Sequence, residues 1–156
     1  DVLSDYGAYR DLQRHRMLSL QAQSLSPELG WDLPDDVADA GLAEAYSAVQ
    51  AASADLYARL AASFPAEAPY AVSLAHRLRF TMVLNAREAM HLIELRSQPQ
   101  GHVSYRRVAQ QMHRLIAEHA GHRAIADAMV FTDHSGDGDG RLAAETRTEK
   151  RRTSPA

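Results

Sequence analysis

The chain has no cysteine. That absence excludes disulfides, thiolate metal sites and a cysteine nucleophile, and it leaves the redox compartment open. No apolar run approaches the roughly 20 residues a membrane-spanning helix needs, and no signal-peptide pattern opens the chain, so a cytoplasmic protein is expected. Neither sign of charge dominates. A net charge of −3 argues against general nucleic-acid binding, although a cluster of arginines still makes a local positive pocket. Glycine-rich phosphate loops, dinucleotide fingerprints and His-Glu-x-x-His are missing as well. His119 and His122 stand three apart with no carboxylate to complete a ligand set. Asp133, Ser135, Asp137 and Gly138 copy only the start of a calcium loop, because its twelfth position is Ala144 rather than Glu, with Glu145 beside it. Neither group is read as a metal site.

What is present is an ordinary globular composition: 156 residues, 46% apolar and 24% charged, enough for one real core. The chain begins at Asp1 with no Met, as a fragment or one domain of something longer would. Ser4 to Gln13 reads as a short helix capped by Ser4 or Asp5, with Tyr9, Leu12 and Leu3 on one side. Met17, Leu18, Leu20 and Ala22 suggest a short strand leading to a turn near Ser26-Pro27. Leu33-Pro34-Asp35-Asp36 has proline and acids where a helix entry favours them. Leu42, Tyr46, Val49, Leu56 and Leu60 recur at helical intervals up to Phe64-Pro65 and predict an amphipathic helix of about six turns that packs structurally.

Val72, Leu74, Leu78, Phe80, Met82 and Leu84 alternate with polar residues and predict a strand. A helix follows over Ala86 to Arg96, broken by Pro99-Gln100-Gly101. Tyr105, Val108, Met112, Leu115 and Ile116 define another amphipathic helix, and Ile125, Met129 and Val130 a short last one. The run from His134 through Gly140 is a flexible loop, and Arg141 to Ala156 is a charged tail, helical at first and then frayed. The expected fold is α+β, mostly helical with a few strands. Its domain covers residues 1–132, followed by a loop and tail over 133–156.

Two blocks carry chemistry. Arg14-His15-Arg16 is followed by seven residues and Ser24. Guanidinium forks suit phosphate or the electron-rich edge of a flavin, while three basic residues ending a helix also offset its dipole. Ser24 has no His and Asp arranged as a nucleophile motif, so hydrogen bonding to a ligand phosphate and turn formation before Pro27 are the open alternatives. The second block presents Asn85, Arg87, His91 and Arg96. Arg87 and His91 share a helical face, and Arg96 is expected to return near it. Such a face suits an anion; the bland alternative is a solvated surface paired with Glu88 and Glu94.

Arg-His-Arg with Ser eight positions on resembles the signature of the flavin-dependent thymidylate synthase family. Tyr9-Arg10-Asp11-Leu12-Gln13 resembles the helix leading into it. Leu84-Asn85-Ala86-Arg87 followed by Leu92-Ile93-Glu94-Leu95-Arg96 resembles the family's second block, and the likeness spans about residues 3 to 130. It implies FAD as cofactor, NADPH and methylenetetrahydrofolate as co-substrates, conversion of dUMP to dTMP, and a homotetramer. It further implies that Arg14, His15, Arg16, Asn85, Arg87 and His91 face FAD, with His15 near the ring. Ser24 and Arg96 would contact the nucleotide, Arg96 as the catalytic residue.

Four positions depart from the family pattern: Ser26 and Pro69 stand where nucleotide-gripping arginines are expected, Ala22 where an acid is, and His91 where many members have a flavin-facing Asn or similar residue. The family's N-terminal strands are absent, so the chain corresponds to the C-terminal two-thirds of a family domain. These departures keep two alternatives open: a non-catalytic domain assembling with an active partner domain, or a flavin-dependent methylase of another nucleotide.

Overall fold

A computed structural model describes residues 1–136 and 140–153. The chain divides into two compact units, Asp1–Arg14 with Ser19–Met82, and His15–Leu18 with residues 83 onward. The architecture is α+β, mostly helical around a small three-stranded sheet. No described helix is long and apolar enough to cross a membrane.

In the first unit, strand β1 (Val2–Asp5) pairs antiparallel with β3 (Arg77–Leu84), setting Val2 opposite Phe80 and Asp5 opposite Arg77. The sheet order is β1-β3-β2, with β2 at Leu18–Ala22. The strand at Val2–Asp5 corrects the expectation of one helix from Ser4, because the helix α1 occupies only Tyr6–Leu12. Asp5 serves both elements. It ends the strand and caps the helix, its Oδ1 accepting the Ala8 N–H at 2.7 Å. The predicted strand from Val72 likewise starts later, at Arg77. Ala68–Ala71 is a turn of 3-10 helix opened by Pro69, and Ser73 and Leu74 follow it outside any strand. Within β3 the alternation is as read, with Leu78 and Phe80 buried and Arg79 exposed. Those two pack with Ala8, Leu12, Ala68 and Val72 to form this unit's core, and Tyr9 meets Phe80 edge-on at 5.0 Å.

Pro34 sits at the N-cap of α2 (Asp35–Asp39), whose two acids lie in the first turn. The long helix α3 (Ala43–Ala61) forms where its periodicity places it. Its apolar stripe is another matter: Leu42, Val49 and Leu56 are exposed, and Gln50 is the buried residue of the helix. The side that packs is mixed, with Tyr46, Tyr57 and Leu60 half-buried beside Gln50 and Ser53. Ser53 donates to the Ala71 carbonyl at 2.6 Å, and Ser73 donates to Gln50 Oε1.

The second unit is helical. Helix α4 (Ala86–Arg96) packs on α5 (Val103–Arg114), burying Ala89, Leu92, Ile93 and Ala109, with Ala126 and Met129 completing the core. A π-turn at Leu115–His119 prolongs α5, and Gly121, at φ +72°, takes the left-handed conformation that ends it. Helices α6 (Arg123–Asp127) and α7 (Gly140–Thr153) follow. The predicted loop at His134 through Gly140 is irregular as far as Gly136 and stops short of Gly140, which already belongs to α7; residues 137–139, with Asp137 and Gly138 of the calcium-like pattern, lie outside the described residues, as do the last three of the tail.

Candidate functional site

The second block begins with a cap. Asn85 is extended, and its Oδ1 accepts the Glu88 N–H at 2.9 Å, which starts α4 directly after β3. The spelling Asn-x-x-Glu is that of a capping box, in which the acid turns back to the cap residue. Here Glu88 is buried and its Oε1 lies 2.8 Å from His15 Nδ1. On the other side of the same ring, Arg96 Nε donates to His15 Nε2 at 3.0 Å. Glu88, His15 and Arg96 therefore form a continuous line that ties the first block to the second. The Arg96 guanidinium carbon also lies 5.3 Å from the Tyr105 ring centroid, and the His91 ring meets His15 at 5.4 Å, tilted by 62°.

This line fixes protons. An arginine Nε can only donate, so His15 Nε2 presents its lone pair and the ring hydrogen sits on Nδ1, aimed at Glu88. Burial, the Arg96 charge and His91 hold the imidazole below its ordinary proton affinity, with desolvation the largest cause; the Glu88 hydrogen bond opposes them. Histidine here is neutral and buried.

The remaining predicted residues of this unit are outward. Arg16, Asn85, Arg87 and His91 are exposed, and Arg96 is half-buried. Arg96 does not return to the face of Arg87. Nine residues are about two and a half turns at 3.6 residues per turn, which puts it on the opposite side of α4. Arg87 and His91 do share a face, one turn apart. The expected pairing with Glu88 and Glu94 is replaced: Glu88 serves His15, and Glu94 accepts the Phe131 N–H at 3.1 Å. Arg14 and Ser24 belong to the first unit, both exposed, and Arg14 lies 3.6 Å from Asp11.

Two charged residues of this unit escaped the sequence reading. Glu88 entered only as a surface partner for the basic residues. Arg106 is 1% exposed, yet it donates to the Ser97 carbonyl at 3.1 Å and the Ser135 carbonyl at 3.1 Å, and pairs with Asp133 at 3.4 Å. A signal for Arg106 was available, since it precedes the buried Ala109 by three positions on one helix face. Asp133 is held below the usual carboxylate range, first by Ser135 and then by Arg106. It is thus committed to protein donors, and among the described residues no group of three or more His, Cys, Asp or Glu could hold a metal.

With this geometry the chain matches the thymidylate synthase complementing protein family over residues 4–121. It belongs to that family. The match takes in every residue named above from both blocks, together with the Glu88–His15–Arg96 line. Relatives include UPF0159 proteins of Chlamydia muridarum (strain MoPn / Nigg), 40% identical over 147 residues, and of Chlamydia pneumoniae, 37% identical over 149. A third, from Thermoplasma acidophilum, is 36% identical over 149 residues. These alignments cover 94%, 96% and 94% of this chain, but 27%, 28% and 30% of the relatives. This thymidylate synthase complementing family chain thus spans under a third of the length of the curated relatives it matches.

Proposed function

We propose that the chain is part of a FAD-dependent thymidylate synthase that methylates dUMP to dTMP, with methylenetetrahydrofolate as one-carbon donor and NADPH as reductant. The protein works in the cytoplasm and assembles as a homo-oligomer, a tetramer by the family resemblance. One observation carries the reading: the two blocks that resemble flavin-site motifs are joined by the Glu88–His15–Arg96 line. That line brings residues 81 positions apart, one from each block, into direct hydrogen bonding.

The donor set fits a flavin. Exposed guanidiniums at Arg16 and Arg87, the Asn85 amide and the His91 ring are cationic or neutral donors, and the nearby Glu88 carboxylate is buried against His15. A planar, electron-rich, phosphate-bearing group matches that chemistry. Arg16, Asn85, Arg87 and His91 would hold FAD, which when bound supplies the hydride chemistry, and the family resemblance assigns Arg14 to the same cofactor. Arg96 orients the pyrimidine as the catalytic residue, and Ser24 binds the nucleotide. His15 has both ring nitrogens engaged within the protein, so its action on a ligand passes through Arg96.

A second reading is favoured by Ser26, Pro69 and Ala22. Hydrogen bonds to a charged group contribute about 1.5–3 kcal/mol each, so two missing arginines weaken dUMP binding by several kcal/mol. A non-catalytic domain assembling with an active one, or a methylase of another nucleotide, would tolerate that loss. Purified chain titrated with FAD and then dUMP separates these. Visible flavin bands that shift on dUMP addition support the synthase. Flavin without a dUMP response supports another nucleotide. No flavin removes the assigned cofactor roles and leaves a structural domain.

A further inference from the structure

We propose that Glu88 is a positioning residue: by accepting the hydrogen bond from His15 Nδ1–H it favours, together with Arg96, the tautomer whose Nε2 accepts, and so helps fix how Arg96 presents its guanidinium to a ligand. What the ligand is rests on the flavin-site reading above. The relay itself rests on geometry.

Three protonation states of His15 are possible, and only one satisfies both neighbours. Doubly protonated imidazole would set an N–H against the Arg96 Nε–H. The Nε2–H tautomer would do the same and also turn a lone pair towards the Glu88 carboxylate. The Nδ1–H tautomer donates to Glu88 Oε1 at 2.8 Å and accepts from Arg96 Nε at 3.0 Å. Glu88 and Arg96 are both on α4, eight residues apart, so one rigid element fixes the two ends of the relay. Tyr105 supplies the second anchor, 5.3 Å beneath the guanidinium. Two contacts then define the plane of a side chain that otherwise samples many rotamers.

Burying the Glu88 carboxylate is expensive, and α4 needs no acid there for packing, since Ala89, Leu92 and Ile93 form its core face. Its N–H is already capped by Asn85. An acid at this position makes physical sense as the partner of a ring whose hydrogen must be held on one nitrogen. Carboxylates that orient metal-bound histidine rings change metal affinity or activity by about 10- to 100-fold when removed, and the lower end of that range is the expectation for a ring that acts through an arginine. The groups facing the ring are Glu88, Arg96 and His91. Burial and Arg96 oppose a second proton on it, which keeps the acceptor available at neutral pH.

The test uses the full chain with nitrogen-15 histidine, and Glu88→Gln beside it. Two-bond proton–nitrogen spectra report which ring nitrogen of His15 carries the hydrogen. In the unaltered chain Nδ1 is expected to be protonated and Nε2 bare at neutral pH. In E88Q the neutral amide holds the Nδ1–H less strongly than the carboxylate or turns its NH2 towards Nδ1, so the share of Nδ1–H falls, His15 takes up a proton at still lower pH, and FAD binding, read from visible absorbance, weakens about tenfold. A proton found on Nε2 in the unaltered chain overturns the proposal. So does an E88Q variant whose tautomer and FAD midpoint are unchanged. Should E88Q not fold, the unaltered tautomer decides alone. If the tautomer moves as expected but neither protein takes up FAD, the relay stands and the flavin reading falls.

Discussion

Each unit carries one histidine buried in neutral form, and these set the pH response. His15 and His76 both lie below the ordinary imidazole value, burial being the first cause in each. His76 is fully buried, its Nδ1 3.1 Å from Ser73 Oγ. Ser73 donates its only hydrogen to Gln50, so it accepts from His76, and the other ring nitrogen is a lone pair with no hydrogen-bond partner among the described residues. The sign follows. Because the folded values are depressed, stability is full above about pH 6.5, the unfolded value, and is lost as pH falls through the lower folded values. Urea midpoints should therefore drop between pH 7.5 and 5.5, ahead of carboxylate titration; a flat profile across that range would contradict neutral burial of both rings. Asp133 acts later, its contribution lost only as pH falls through its depressed value, below the usual carboxylate range. Arg106→Met should cost about 3 kcal/mol in denaturant unfolding, because it strands Asp133 and the Ser97 and Ser135 carbonyls. A loss under about 0.5 kcal/mol would show that the segment holds without it.

At the scale of elements, the link from β3 to α4 depends on one cap. Asn85→Ala removes the acceptor for the Glu88 N–H and should cost about 1 kcal/mol, while Asn85→Asp should cost far less. Thermal unfolding distinguishes these; equal losses would show that the amide, not the cap, matters. That helix was legible with the bounds it has, Ala86 to Arg96, ended ahead of Pro99-Gln100-Gly101. The strand at Val2–Asp5 was hidden because four residues carry too little period, and Asp5 serves equally as strand end and helix cap. For α3 the period gave the element but not its environment. Exposed Leu42, Val49 and Leu56 and buried Gln50 invert the usual inference from an amphipathic stripe, since periodicity does not say which side faces the protein. The same gap explains the site: basic residues were visible as chemistry, whereas buried Glu88 and Arg106 were not, because a charge's burial is decided by partners distant in sequence.

At the scale of the molecule, the exposed stripe on α3 is where assembly can be tested. Leu42, Val49 and Leu56 recur every seven residues and are 55%, 62% and 42% exposed, with Ala45 and Ala52 between them. Seven-residue spacing is the repeat that brings two helices into a common seam, and alanines between larger residues allow close approach. The charges near its ends choose an orientation. Glu44 lies in the first turn and Arg59 in the last, so a second copy laid antiparallel sets each acid towards the opposite cation, whereas a parallel one sets like beside like. The homo-oligomer proposed above would then use this face. Val49→Lys places a charge at the middle of the seam while leaving an exposed site on a single copy, where the stability change should stay within about 0.5 kcal/mol. Sedimentation velocity across a concentration series should show self-association in the unaltered chain and at least about tenfold weaker association in V49K, with unfolding midpoints matched. An unaltered chain that stays monomeric throughout the series, or a variant that associates equally well, would remove α3 from the assembly and leave its apolar face for a different partner.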